Sequence, residues 1–266
     1  MSVLAADVAR LREALDRAAA VLRRHAAAPI AFSIKRGHGP VTAADHEVDD
    51  LLRRMLPAAG EGWLSEETVD DDRRLSCRRV WIVDPIDGTR SFIAGRPEYS
   101  ISIALVEDGV PLLGGVCNPA SGVTVIGGPG IGIEVEGDPK LSFPAVSDRL
   151  RVLASRSECR DGEWEQWLAQ GLLEVLPISS VAYKLALVAA GAADATWTVW
   201  PKSEWDIAAG VALVRAVGGC VWAPGVEDVV LNREKPVFRG FAAVGPRHLA
   251  RVQTLIGAPG GRGALS

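Results

Sequence analysis

The chain has 266 residues, 48% of them hydrophobic and 23% charged, with a formal net charge of −4 and an isoelectric point near 5.7. That length fills one large domain or two smaller ones around a real core. The mild acidity excludes a general pull toward nucleic acid or an anionic membrane, so any bound phosphate needs local neutralisation.

Residues 3 to 28 carry apolar positions at helical spacing (Val8, Leu11, Leu15, Leu22) and predict an amphipathic first helix. KRGHGP, 35 to 40, reads as a loop. A second helix is expected from about Thr42 to Leu56, where Pro57 stops it. EGWLSEE, 61 to 67, reads as a short strand running out into acidic residues, and 70 to 79 as a charged surface loop. Strands follow at 80 to 83, 99 to 106, 110 to 116, 123 to 126 and 131 to 135, an antiparallel meander. The second half alternates instead. A strand at 150 to 154 precedes one helix at 161 to 171. A strand at 174 to 178 leads to a helix capped by Ser179 or Ser180 and running to Ala190. A strand at 194 to 199 is followed by a helix at 207 to 217, and segments near 230 and 241 close the sheet. The expectation is an α+β part over 1–146, holding an antiparallel sheet and most metal ligands, and an α/β part over 147–266. The last ten residues, GAPGGRGALS, read as a frayed tail.

No apolar run is long enough to span a membrane, and the N-terminal stretch lacks a signal-peptide core, so a cytoplasmic location is the default expectation. Cys77, Cys117, Cys159 and Cys220 are far apart with no CxxC and read as free thiols. The four histidines show no metal-ligand spacing, so a metal here is held by oxygen.

The oxygen donors stand out in VWIVDPIDGTRSF, 80 to 92, where a buried strand ends on Asp84 and Asp87. Two unit charges about 4 Å apart repel by roughly 4 kcal/mol at an effective dielectric of 20. Adding Glu66 and Asp206 brings the sum to the order of 10 kcal/mol, comparable with a whole domain's stability. No lysine or arginine inside DPIDG neutralises it, and a hard divalent cation, Mg²⁺ above all, suits an all-oxygen site. Gly88 allows close backbone approach, Thr89 and Ser91 offer hydroxyls, and a helical turn there aims N–H groups at an anion. Asp206, read as the N-cap of an apolar helix, marks a second such terminus. Taken singly, each has a plain reading: DPIDG a turn, Glu66 and Glu67 a solvated edge, Thr42 to Asp45 a capping box, Asp206 a cap.

Their order along the chain resembles the inositol monophosphatase superfamily of lithium-sensitive Mg²⁺ phosphatases. LSEE at 64 to 67, WIVDPIDGT at 81 to 89 and WDIAAGVALVRAVGG at 205 to 219 carry the resemblance. VTAAD at 41 to 45 and LALVAAGAADA at 185 to 195 extend it, so that it spans roughly residues 5 to 245. It implies a layered sandwich of alternating helices and sheets. It also implies that Glu66, Asp84 and the Ile86 carbonyl hold one metal and that Asp84, Asp87 and Asp206 hold a second. Two or three Mg²⁺ per site are implied, with Mn²⁺ as a substitute and Li⁺ and Ca²⁺ as inhibitors. Water would attack phosphorus in line, oriented by Thr89 with Asp45 behind it and Glu66 as base, while Gly88 and Thr89 present N–H groups to the phosphate.

The resemblance leaves two substrates open, an inositol monophosphate and 3′-phosphoadenosine 5′-phosphate. Lys184 stands where the nucleotidase branch carries a lysine near a second phosphate, yet Val181, Ala182 and Tyr183 replace that branch's Gly-Ser-Ser. Lys184 reads equally as a lysine snorkelling from a helix. Arg156 and Lys202 are further candidates, read first as surface charges. The alternatives are an accessory protein binding RNA polymerase or RNA, for which no basic or aromatic cluster argues, and a structural Ca²⁺ site. A homodimer is also among the family's implications.

Overall fold

The structure, a computed structural model, describes residues 3–35, 39–143, 148–226 and 228–257. Helix α1 (Val3–Ala26) buries Leu11, Leu15, Ala18 and Leu22 along one side, as the helical spacing requires. A two-stranded ribbon follows, β1 (Phe32–Lys35) antiparallel to β2 (Gly39–Thr42). The expected loop at 35–40 is therefore partly ribbon, and residues 36–38 lie outside the described residues. Phe32 and Ile34 are both exposed, so this strand carries no burial alternation for a sequence reading to detect. Helix α2 (Ala43–Met55) opens on a capping box, in which the Thr42 side chain accepts from the Asp45 N–H and Asp45 accepts from the Thr42 N–H.

The first sheet holds β3 (Gly62–Ser65), β4 (Arg79–Asp87), β5 (Ser100–Glu107), β6 (Val110–Asn118), β7 (Val123–Gly128) and β8 (Gly132–Glu136), in that spatial order. Strands β4 to β8 form the expected antiparallel meander, while β3 joins parallel to β4. A 3₁₀ turn spans Arg73–Ser76, and the short helix α3 (Thr89–Ile93) follows β4.

The second half contains β9 (Leu150–Ala154), α4 (Arg156–Arg160), α5 (Glu165–Leu168), β10 (Leu173–Pro177), α6 (Val181–Ala189) and β11 (Ala195–Thr198). It continues with β12 (Lys202–Ser203), α7 (Glu204–Ala216), β13 (Cys220–Trp222), β14 (Val237–Phe238), β15 (Phe241–Val244) and α8 (Leu249–Ile256). Its sheet runs β10-β9-β11-β15-β13, with β10, β9 and β11 parallel and β15 antiparallel to both neighbours. Two expectations are corrected. The single helix at 161–171 is instead two short helices, because Asp161-Gly162 turns the chain, with Gly162 at φ 78°. The segment near 230 is not a strand: Val230 is exposed and the Leu231 N–H goes to the Gly109 carbonyl. Strand β13, too short to announce itself, closes the sheet instead. The expected boundary near 146 and all but the first residue of the glycine-rich tail fall outside the described residues.

Three cores give five layers. Leu15, Val48 and Leu52 of α1 and α2 meet Trp81, Val83 and Ile103 on one face of the first sheet. On its other face Ile82, Ala104 and Val116 pack on α6 and α7, which also cover Leu153 and Ala243 of the second sheet. Trp164, Trp167 and Val252 cover the outer face of that second sheet. Helix α6, buried at every position, and α7, buried from Ile207 to Val214, are apolar all round, which suits helices lying between two sheets. Helix α7 sits so close to β6 that a Cβ at Gly114 would lie 2.3 Å from the Ala209 carbonyl oxygen. No helix among the described residues is long and apolar enough to cross a membrane.

Candidate functional site

Side chains three apart on a regular strand point to opposite faces. Asp84 and Asp87 do not, because β4 bulges between them. Asp84 pairs with Ser102 and Asp87 with Ser100, so an extra residue of β4 is accommodated against β5. Ser100 and Ser102 share one face of β5, and their partners Asp84 and Asp87 share it too. It is the face of α6 and α7: the Ser102 hydroxyl donates to the Trp205 carbonyl, and Ser100 meets the Ser180 hydroxyl at 3.0 Å. Ile86 turns the other way, into the α1–α2 core.

Both aspartates are held by the chain. Asp84 Oδ1 accepts from the Ile86 N–H at 3.0 Å. Asp87 Oδ2 accepts from the Ser180 hydroxyl at 2.8 Å and from the Ala182 N–H at the start of α6. A carboxylate at a helix N-terminus is favoured by the helix dipole.

Asp206 completes the group from α7. It was expected as the N-cap, but the cap is Ser203, and Asp206 sits in the first turn as the reciprocal partner of a capping box, accepting from the Ser203 N–H at 2.8 Å. The sequence SEWD satisfies the box pattern, so serine takes the cap. One oxygen from each of Asp84, Asp87 and Asp206 lies within 4.8 Å of the other two. Glu66 follows β3, its N–H reaching the Val83 carbonyl at 3.4 Å, and its charge acts on Asp84. The Thr89 hydroxyl lies 3.0 Å from the Ile86 carbonyl and 3.3 Å from Asp45 Oδ1, while Asp45 Oδ2 accepts from both the N–H and the hydroxyl of Thr42. Gly88 caps α3 at φ 97°, where a Cβ would lie 2.8 Å from the Glu98 carbonyl oxygen.

The electrostatics are one-sided. Burial, then the charges of Glu66, Asp87 and Asp206, push the Asp84 carboxyl well above the usual range. Burial also raises Asp87, against the opposing hydrogen bonds from Ala182 and Ser180. Asp206 is pushed up to about 7 by desolvation first and Asp87 second. Acids crowded in this way favour either a proton or a cation. An all-oxygen donor set with buried, like-charged carboxylates fits a hard divalent cation.

The positively charged candidates divide. Lys184 is buried with Nζ 3.3 Å from Ser155 Oγ, so it does not snorkel out of its helix. Burial lowers it to about 8, opposed by the neighbouring charge of Glu158. Lys202 is partly exposed, and its charge favours the ionised forms of Asp87 and Asp206. Arg156 pairs with Glu98, which also accepts from the Ser179 N–H. Ser180 was anticipated only as a possible helix cap, and its bond to Asp87 across 93 positions left no local signal.

The profile of the Inositol monophosphatase family matches residues 5–252. The Inositol-1-monophosphatase of Mycobacterium leprae is 34% identical over 200 residues, 70% of this chain and 68% of the relative. The 3'(2'),5'-bisphosphate nucleotidase CysQ of Salmonella typhimurium is 33% identical over 201 residues, 73% of this chain and 80% of the relative. Among solved structures, CysQ from Bacteroides thetaiotaomicron superposes with a TM-score of 0.76 at 26% identity, covering 91% of this chain and 98% of that one.

Proposed function

The chain belongs to the inositol monophosphatase family of phosphatases, and from that premise we propose that it hydrolyses a small phosphomonoester with Mg²⁺ at the acidic cluster. Glu66, Asp84, the Ile86 carbonyl, Asp87 and Asp206 would hold the ions. Bound Mg²⁺ supplies Lewis acidity and positive charge for water and phosphate oxygens. The observation that carries the reading is the convergence of Asp84, Asp87 and Asp206, from two elements far apart in sequence, to within 4.8 Å.

The remaining work falls to this chain's own groups. Asp45 Oδ1 accepts the Thr89 hydroxyl proton, which leaves a Thr89 lone pair to accept from an incoming water. Glu66 takes the proton that this water releases. The N–H groups of Gly88 and Thr89 hold phosphate oxygens where α3 begins. Lys184, enclosed beside Ser155, acts on a substrate through its charge. Asp206 and the segment before it meet the leaving group.

The relatives include inositol-1-monophosphatases and bisphosphate nucleotidases. Phosphate release from inositol 1-phosphate and from 3′-phosphoadenosine 5′-phosphate, each with and without Mg²⁺, tests the reading. Mg²⁺-dependent turnover of at least one supports it and ranks the two. No Mg²⁺-dependent release from these or from a generic aryl phosphate overturns it.

A further inference from the structure

Glu204 is fully buried at the first position of α7, two residues before Asp206. Its carboxylate accepts from two consecutive backbone N–H groups, Asn232 at 2.6 Å and Arg233 at 3.0 Å. Asn232 stands at φ 59°, a left-handed conformation that lets neighbouring N–H groups converge on one anion. Its side chain turns away from Glu204 to a third segment. Asn232 Oδ1 accepts from Arg74 Nη1 at 2.7 Å, and Asn232 Nδ2 donates to the Arg74 carbonyl at 3.3 Å.

Arg74 is 2% exposed. It also donates to the Arg233 carbonyl at 3.0 Å and to Asp70 Oδ2 at 2.6 Å. The Glu204 N–H reaches the Pro236 carbonyl at 2.9 Å. A partly buried polar network whose members are mutually bonded, here around the buried Arg74 and Glu204, is rigid. This one ties the start of α7 to the segment that leaves β3 through Glu66.

We propose that Arg74, Asn232 and Glu204 form a brace that sets the spacing of Glu66 and Asp206 and thereby the affinity of the acidic cluster for a divalent cation. The inference rests on the metal reading above. Glu66 and Asp206 lie on different elements, and the brace joins the first turn of α7 to the 3₁₀ turn in the segment that follows Glu66. Its members are positioning residues and touch no substrate. Outer partners of metal ligands change affinity without changing the ligand set.

The test is calorimetric titration of Mg²⁺ into the full chain freed of metal by a chelator. Asn232→Gly keeps the left-handed backbone and both N–H groups but loses the Arg74 contacts. Arg74→Met keeps bulk but loses the donors. Val252→Ala, in the outer core, serves as a destabilised control. Both brace variants should bind Mg²⁺ about tenfold more weakly, while the control stays within about twofold of the unsubstituted chain despite its lower melting temperature. The Mg²⁺ needed for half-maximal phosphate release should rise in parallel, and turnover should recover at saturating Mg²⁺. Unchanged Mg²⁺ affinity in folded Asn232→Gly overturns the brace, whether or not Arg74→Met folds. An unsubstituted chain that binds no Mg²⁺ overturns the underlying metal reading instead.

Discussion

Two charge clusters flank the first sheet, one half-buried and one largely buried, and they are built on opposite terms. In one, Asp7 and Glu61 face Arg10 and Arg79: Arg10 lies 2.7 Å from Asp7, and Arg79 lies 2.9 Å from Glu61. Burial pushes the Glu61 carboxyl up, but the Ala58 N–H, the Trp81 N–H and Arg10 outweigh it and hold it below the usual range. Two acids meet two guanidiniums and the chain neutralises itself. In the other, Asp84, Asp87 and Asp206 converge, and among the described residues none of the three forms an ion pair. All three carboxyls are raised. Clustered charge is thus self-contained where its countercharge is encoded nearby, and under the proposed function the second cluster takes its countercharge from solution.

The contrast can be broken by substitution. Glu61→Ala removes the acceptor of the buried Trp81 indole N–H and one partner of Arg10 and Arg79, and should cost about 2–3 kcal/mol in denaturant unfolding, with turnover of the folded fraction unchanged. Asp87→Asn should do the reverse: phosphate release falls by at least about a hundredfold while the metal-free melting temperature does not drop. Ser180→Ala removes one of the donors to Asp87 and should weaken Mg²⁺ binding about tenfold by calorimetry. It also removes the cap of α6, a loss of about 1 kcal/mol in unfolding.

The smallest effect is a pH slope. Asp206 and Glu204 are each raised to about 7, chiefly by burial, from an ordinary 3.8 and 4.5. Between those values the folded chain holds protons that the unfolded chain has released, so stability falls as pH rises. Metal-free protein should therefore melt at lower temperature at pH 8 than at pH 5.5. Saturating Mg²⁺ should flatten the trend in part, because cation and proton compete for the Asp206 oxygens while Glu204 keeps its share. Differential scanning calorimetry at both pH values checks the sign.

Much of this was legible in the sequence. Helices α1 and α2, the meander from β4 to β8 and the acidic residues of the cluster carry strong local patterns. What was missed depends on partners distant in sequence. Ser180 reads as a cap until Asp87 is found on its hydroxyl. Arg74 sits in a run read as a charged surface loop, yet its guanidinium is buried against Asn232, 158 positions away. Asp206 and Ser203 compete for one cap, and the winner depends on the capping box as a whole. The β1–β2 ribbon exposes its apolar residues, so no inside–outside contrast marks it.

The bulge in β4 carries a consequence for sequence change. Because Asp87 shares a side with Asp84 only through that one additional residue, the spacing obeys an odd–even rule. Inserting one residue between Asp84 and Asp87, with the bulge kept at one extra residue, would retain every acidic letter yet swing the second aspartate toward the hydrophobic interior beneath α1 and α2, whereas deleting Pro85 or Ile86 would leave a spacing of two that a regular strand already places on one side. The insertion variant should retain its architecture and lose its chemistry, so a one-residue insertion is a sharper probe of this strand than most substitutions.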